Sequence, residues 1–216
     1  SSDLYPTSLK LLKLGILMFL AISIPFVIAY NSQTQGLIQA ITDTIEILTL
    51  AKQREESLVD MNRRARTVKL ILDGVISRTR HLRGTPDYLP FVMTKMRDES
   101  RNALTINHQL RTIIHKIDKK YQEKFYEKDV YMDFSMLGMF ELAGEKIGNA
   151  FDFIDRLSVL TSHYSLRNLS SLIPDDPTLH FILESSMNSL ILSCEKSVDT
   201  LRMYIESSRK IGRAHV

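Results

Sequence analysis

The segment Leu14–Tyr30, with the sequence LGILMFLAISIPFVIAY, contains no charged residue. A helix of this length rises about 25 Å, and the leucines just before it extend the apolar stretch to the roughly 30 Å of a bilayer core. The long side chains of Lys10 and Lys13 can reach the lipid headgroups, and aromatic rings such as Tyr30 favour the membrane interface. The sequence therefore predicts one transmembrane helix at residues 14–30, with residues 1–13 as its flank.

Two other interpretations of this segment are a cleaved signal peptide and a buried core helix. The apolar part of a signal peptide is usually shorter and is followed by a small-x-small cleavage site, which residues 28–30 match poorly. A soluble helix that is apolar on all sides requires a large domain to bury it. A membrane span agrees better with the sequence than either alternative.

Basic residues near the segment predict its orientation. Lys10 and Lys13 precede it, whereas residues 31–50 contain neither Lys nor Arg. Because basic residues favour the cytoplasmic side, we expect a cytoplasmic N-terminus and an extracytoplasmic location for residues 31 onward. The triplet Asn168-Leu169-Ser170 is a glycosylation sequon, which makes Asn168 a candidate modification site on that side.

The composition narrows the fold class of the remainder. The chain has 216 residues, eight Gly, six Pro and one Cys, and a formal net charge of +3. A single cysteine, Cys194, rules out an internal disulfide scaffold, and so few Gly and Pro residues disfavour a β-sandwich. The small charge excess and the predicted exterior location also exclude nucleic acid as a partner.

Apolar residues recur at intervals of three and four beyond the span, which predicts an all-α fold of about four long helices. The predicted helical segments run from Gln33 to Arg80, from Val92 to Phe125, from Phe134 to Tyr164 and from Pro177 to Ile205. The charged residues 52–56 are the expected place for a bend, and no run has a convincing strand period. We expect residues 31–210 to form an antiparallel, membrane-extrinsic bundle. Four helices return the chain to the membrane, so the parent protein is expected to have a second span after Arg209.

Both ends of the chain suggest a fragment of a longer protein. The first residue is Ser1, and residues 211–216, IGRAHV, are similar to an in-frame translation of a common sequencing adapter. We therefore interpret residues 211–216 as an artefact to be excluded from the fold. A natural tail of the same sequence is the alternative.

A cluster of basic residues on the first helix is the candidate binding site. Arg63, Arg64, Arg66 and Lys69 follow one another closely, and arginine forks bind carboxylates and phosphates in two-pronged fashion. The other interpretation is a solvated face that is paired with acidic residues on neighbouring helices.

No pattern in the sequence predicts catalysis, a cofactor or a metal site. His108 and His115 lie seven residues apart, which is too long for a helical metal-binding pair. We interpret Asp175 and Asp176 as a turn and a helix cap. Phosphate-binding loops, nucleophile elbows and zinc-protease motifs do not occur. The expectation is that the chain is not an enzyme.

The span followed by residues 62–74, NRRARTVKLILDG, resembles a segment of multi-pass membrane proteins of protists. These proteins are related to the tiny macrocyst protein of slime moulds, are abundant in ciliates, and often carry an intracellular PAS domain. The resemblance covers about the first 80 residues and implies a helical region between membrane spans. It transfers no catalytic residue, and a PAS pattern does not occur in this chain.

The combined features favour the extracytoplasmic module of a multi-pass membrane protein, which senses a ligand or relays a signal by helix repacking. The lipid bilayer is the expected partner, together with a homo-oligomer or a small-molecule ligand of unknown identity. The alternative is a structural bundle that assembles oligomers and binds no small molecule. A membrane-tethered hydrolase would need a convergent polar pocket, which the sequence does not show.

Overall fold

A computed structural model describes residues 4–78, 87–133, 145–187 and 189–214. Helices account for most of them, as predicted, and two short strands accompany the helices. The α-helices are α1 (Leu4–Leu72), α2 (Tyr88–Ile113), α3 (Lys119–Phe125), α4 (Ala150–Tyr164), α5 (Pro177–Met187) and α6 (Ser189–Ala214). The strands β1 (Val130–Asp133) and β2 (Glu145–Gly148) form an antiparallel pair.

The chain divides into two compact units, Ser1–Asp43 and Thr44–Val216. The described part of the first unit is helical and belongs to α1. Its large apolar side chains are exposed to the surroundings, from Leu12 through Phe19 and Phe26 to Tyr30. Among the residues that the structure describes, α1 is the one helix long and apolar enough to cross a membrane.

The second unit has a hydrophobic core to which α1 contributes one stripe. Its apolar members recur at threes and fours, as expected for one face of a helix: Ile47, Ala51, Leu58, Met61, Ala65 and Val68. The chain stays helical through residues 52–56, the predicted place for a bend, and Arg54 of this segment is buried in the core. The helix ends at Leu72, just before Gly74, whose φ of 74° lies in the left-handed region that favours glycine.

The chain from Val92 to Phe125 is not one helix, as predicted, but two. Helix α2 begins at its cap residue Asp87, whose side chain accepts a hydrogen bond from the Leu89 backbone N–H at 3.0 Å. It gives way to a 3₁₀ turn at Ile114–Lys116, and α3 starts at Lys119. Ile117 is buried in an extended conformation at this break. The helical interval between apolar residues continues through this break, so the sequence pattern did not predict that the helix ends there.

The expectation of a fold without strands is wrong at β1 and β2. Val130 pairs with Gly148 and Tyr131 with Ile147, so the predicted third helix, which was to begin at Phe134, begins instead at Ala150. The predicted residues 134–144 lie outside the described part. Val130 and Met132 are buried while Tyr131 between them is exposed. This alternation is a strand pattern, but four residues are too few to distinguish it from a loop.

The predicted cap of the fourth helical segment is confirmed. The Asp176 carboxylate accepts a hydrogen bond from the Thr178 backbone N–H at 2.8 Å, and Pro177 is the first residue of α5. The fourth segment comprises α5 and α6, with residue 188 between them outside the described part. Helices α1 and α2 run antiparallel, because Ser57 bonds Asn102 whereas Glu46 pairs with Lys116.

Candidate functional site at the polar layer of the core

Arg54 is fully buried in the middle of the second unit, with 0% of its surface exposed. It lies between Ala51 and Leu58 in the buried stripe, and it is the one charged residue among the buried residues of α1 from Ile47 to Val68. Arginine is almost never fully buried unless it is paired. This residue is therefore the most unusual side chain of the core.

Arg54 meets residues from two other helices. Its Nη1 donates to the Asn107 side-chain oxygen on α2 at 3.3 Å, and its Cζ lies 5.1 Å from the centre of the Phe151 ring on α4. A guanidinium at this distance from an aromatic face is attracted by the ring quadrupole, worth about 0.5–2 kcal/mol. These two contacts fix the orientation of the guanidinium.

Asn107 connects Arg54 to the protein surface. It is itself fully buried, and its amide donates to the Phe151 carbonyl at 2.8 Å and to the Asp155 carboxylate at 2.7 Å. Asp155 is partly exposed and also pairs with Arg111 at 3.1 Å and faces His108 at 3.4 Å. Asp155 is thus connected to Arg54 only through the neutral amide of Asn107, and its charge is shared with Arg111.

The buried pair Arg54 and Asn107 lies between two apolar clusters, and we call this pair the polar layer. On α1, Ala51 belongs to the smaller cluster and Leu58 to the larger one. The division continues on α2 and α6, where Leu110 and Val198 lie on the smaller side and Ala103 and Cys194 on the larger side. The core of the second unit therefore consists of two apolar clusters with the polar layer between them.

Two nitrogens of Arg54, Nε and Nη2, are buried without a hydrogen-bond partner among the described residues. Within the same residues, no carboxylate forms an ion pair with Arg54. Transfer of a charge into a protein interior costs several kcal/mol unless partners replace the water. A guanidinium cannot avoid this cost by losing its proton, so the energy of this arrangement depends on which groups face the Nε–Nη2 edge of Arg54.

Cys194 on α6 lies near this edge. Burial raises the pKa of its thiol, and the nearby charge of Arg54 opposes the increase without cancelling it. The group therefore stays protonated in the folded protein and is a poor nucleophile. The adjacent Glu55 is only partly buried, and burial followed by repulsion from Glu195 raises its pKa.

The basic residues predicted as a binding site lie about two and a half to four turns further along α1 than Arg54. Arg63 and Arg66 are exposed, and Arg63 pairs with Asp60 of the same helix at 2.5 Å. Lys69 pairs with Asp73 at 2.8 Å and with Asp175 at 3.6 Å, and the hydrogen bond to Asp73 raises its pKa. Arg64 is half-buried, and its Nε has no partner among the described residues. Two of the four charges are thus shared with carboxylates.

The predicted modification site is accessible. Asn168 is exposed at the start of a 3₁₀ turn, Leu169–Ser171, and its side-chain oxygen accepts from the Ser170 backbone N–H at 3.2 Å. In the part of the chain that the structure describes, no group of three or more His, Cys, Asp or Glu side chains could hold a metal ion.

The sequence analysis missed Arg54, although one signal could have found it. Counting back from Leu58 at intervals of four and three gives 54, 51 and 47, which is the buried stripe. In the sequence, Ile45 and Ile41 also continue the apolar spacing, but the structure leaves both of them exposed. Because Arg54 lies among the charged residues 52–56, its place in the apolar period was not apparent.

No protein-family model, curated protein or solved structure matches this chain.

Proposed function

We propose that the chain is the extracytoplasmic module of a multi-pass membrane protein and that it relays a signal by helix repacking. The observation that carries this proposal is that one helix, α1, contains both an exposed apolar segment of membrane-spanning length and the buried Arg54. Groups that change the packing around Arg54 act on the same helix that enters the membrane. The resemblance to protist multi-pass proteins is consistent with this role.

The polar layer is suited to two packing arrangements. A well-packed apolar core has one preferred arrangement, whereas a charge with unsatisfied N–H groups gains when its surroundings change to supply acceptors. A ligand shifts such an equilibrium only by its difference in affinity for the two arrangements. Arg54 provides that difference, because the groups that contact its guanidinium change when a ligand is bound.

A reporter chimera tests the relay. The full chain is fused through its N-terminal end to a cytoplasmic reporter, and a flexible Gly-Ser linker is inserted after Tyr30. We expect the linker to abolish ligand- or mutation-dependent output while leaving the protein in the membrane. The same linker inserted after Ser171, outside the helices, is the matched control. Output that is unchanged by the linker after Tyr30 rules the relay out.

The second candidate function is oligomer assembly, and a specific surface favours it. Leu37, Ile38 and Ile41 are neighbours on α1, and each exposes half or more of its surface. No Lys or Arg lies among residues 31–50, so charge repulsion between identical copies is limited to a few acidic groups. Exposed apolar patches of this kind mark interaction sites.

The substitution Ile41→Glu separates this function from folding. We expect it to convert an oligomer into a monomer in detergent, as measured by light scattering, without loss of helical content. Val159→Glu is the matched control, since Val159 is similarly exposed on α4. A wild-type protein that is already monomeric at micromolar concentration rejects the assembly role.

A further inference from the structure

We propose that two copies of this chain pair in parallel through one face of α1, on which Asn31, Thr34, Ile38 and Ile41 each meet the same residue of the second copy. We call these four residues the α1 seam. The inference specifies the surface and the partner of the oligomer-assembly role and rests on that role. It does not depend on the proposed relay.

The residues of the α1 seam follow the spacing of a coiled coil. They recur at alternating steps of three and four, so Asn31 and Ile38 take the a positions of a heptad and Thr34 and Ile41 the d positions. The positions on the outer side of the helix, b, c and f, hold polar or small residues: Ser32, Gln33, Gly36, Gln39, Ala40 and Asp43. A narrow stripe of this kind is the pattern by which one helix pairs along its length with another.

The same two heptad positions are apolar and exposed back through the membrane segment, at Leu17, Leu20, Ile24 and Val27. The spacing is thus kept over four heptads, and a repeat sustained over three or four heptads predicts a coiled coil. The segment before Tyr30 is apolar on all sides, so lipid can cover it there. The residues after Tyr30 therefore define which face pairs.

Lipid cannot cover the far end of the α1 seam. In the proposed orientation Tyr30 lies at the membrane interface, and Ile41 follows it by a helical rise of about 16 Å. The headgroup region on each side of a bilayer is only about 5–8 Å thick. Ile38 and Ile41 each expose half or more of their surface, so they face water unless another protein surface covers them.

A second copy of the chain fits this surface. Two copies that insert into one membrane with the same orientation hold their α1 helices in parallel, so each seam residue can meet its own counterpart. The positions that flank the seam, e and g, are uncharged: Gln35, Leu37 and Thr42. Repulsion between identical charges therefore does not oppose the pairing along the α1 seam.

The polar residues of the α1 seam also suit a second copy. The Thr34 hydroxyl donates to the Tyr30 carbonyl at 2.9 Å, and Thr42 beside the seam donates to the Ile38 carbonyl at 2.9 Å. Both hydroxyls therefore stay hydrogen-bonded when the seam is covered. The Asn31 amide forms no hydrogen bond within the described residues. An Asn at an a position fixes the register of a parallel coiled coil and selects its oligomeric state.

Disulfide formation by the full chain in cell membranes tests the α1 seam. Thr34→Cys and Ile41→Cys place a thiol in the seam, and Gln33→Cys and Ala40→Cys are the matched controls one residue earlier, on the outer side. Under mild oxidation we expect roughly fivefold more linked dimer from the seam variants, because only their thiols approach to bonding distance. The unsubstituted chain, whose Cys194 is buried, should give none. Linkage at both seam positions, about 10 Å apart along the helix, requires parallel helices in register.

The oligomeric state of an Asn31 variant tests the assigned register. Isoleucine at both a and d positions favours three or four strands over two, and Ile38 and Ile41 already provide this combination. Asn31→Ile should therefore change the dimer into a trimer or tetramer, as measured by light scattering in detergent. Ser32→Ile, on the outer side of the helix, is the matched control and should remain a dimer. An Asn31→Ile protein that is still a dimer contradicts the place of Asn31 in the seam.

The results separate the α1 seam from the assembly role. A wild-type dimer whose cysteine variants link equally in the seam and on the outer side overturns the seam and leaves assembly to another surface. A protein that is monomeric by light scattering and unlinked at all four positions rejects both the seam and the assembly role. The relay is measured separately by the reporter chimera.

Discussion

At the scale of single residues, Asp176 joins two parts of the second unit with one carboxylate. One oxygen accepts the Thr178 backbone N–H, and the other lies 2.6 Å from Arg167, whose second amino group donates to the Thr178 hydroxyl at 3.0 Å. Asp176 is buried whereas Arg167 is partly exposed. The carboxylate therefore caps α5 and anchors the loop that precedes it.

Replacing Asp176 by Ala should lower the free energy of unfolding by about 1–3 kcal/mol, because both the cap and the partner of Arg167 are lost. Asp176→Asn is the matched control, since an amide oxygen can still cap the helix, and it should cost less than half as much. Urea denaturation followed by circular dichroism measures both. A change of less than about 0.5 kcal/mol in Asp176→Ala would show that the cap is dispensable.

The residue scale also shows where sequence reasoning succeeds and fails. Asp176 and Pro177 were predictable because capping depends on neighbours along the chain. Arg54 was not, since its role depends on Asn107, Phe151 and Cys194, which lie more than fifty residues away in sequence. A helix cap can be predicted from a single sequence, whereas a buried charge can be recognised only when the residues that contact it in the fold are known.

At the scale of elements, the turn from β2 into α4 depends on close packing at Gly148. A Cβ atom built on Gly148 would lie 2.9 Å from Cε2 and 3.0 Å from Cζ of the Phe153 ring. Phe153 is buried, so its ring has little room to move. The hairpin and the helix are thus brought together by the absence of a side chain.

Gly148→Ala should destabilise the protein by about 1–3 kcal/mol through overpacking. Gly36→Ala is the matched control, because nothing lies within 4 Å of a Cβ at that helical position, and it should stabilise α1 by about 0.5–1 kcal/mol. Chemical denaturation of both variants under identical conditions measures whether each substitution raises or lowers the free energy of unfolding. Equal effects of the two substitutions would contradict the proposed packing.

Elements were predictable in proportion to their length. The apolar stripe of α2, from Val92 to Leu110, is long enough to define its period and is buried as expected. The strands β1 and β2 have four residues each, and hydrogen bonds between segments that are distant in sequence create them. On α1 before Leu58, the sequence does not show which apolar residues are buried, because Ile41 and Ile45 are exposed whereas Ile47 and Ala51 are buried.

At the scale of the whole molecule, the orientation in the membrane is the property that the proposed function requires. Asn168 lies in the second unit and is exposed, so a glycosylating enzyme can reach it only if this unit is on the luminal side. Positive residues before the apolar segment favour that orientation.

Expression in a eukaryotic secretory membrane should give a glycosylated protein in the membrane fraction. Enzymatic removal of the glycan, or the substitution Asn168→Gln, should increase its mobility on a gel. Asn149→Gln is the matched control, because residues 149–151 do not form a sequon. A wild-type protein that stays in the soluble fraction without detergent contradicts the membrane span itself.

The divided core has a consequence for local unfolding of the second unit. Because the polar layer contributes little cohesion, each apolar cluster can lose its order while the other is kept. Amide protons of α3 and of the later turns of α6, which surround the smaller cluster, should then exchange with solvent faster than those around Leu58 and Ile154. The second unit would unfold as two cooperative segments, with Arg54 at the boundary between them.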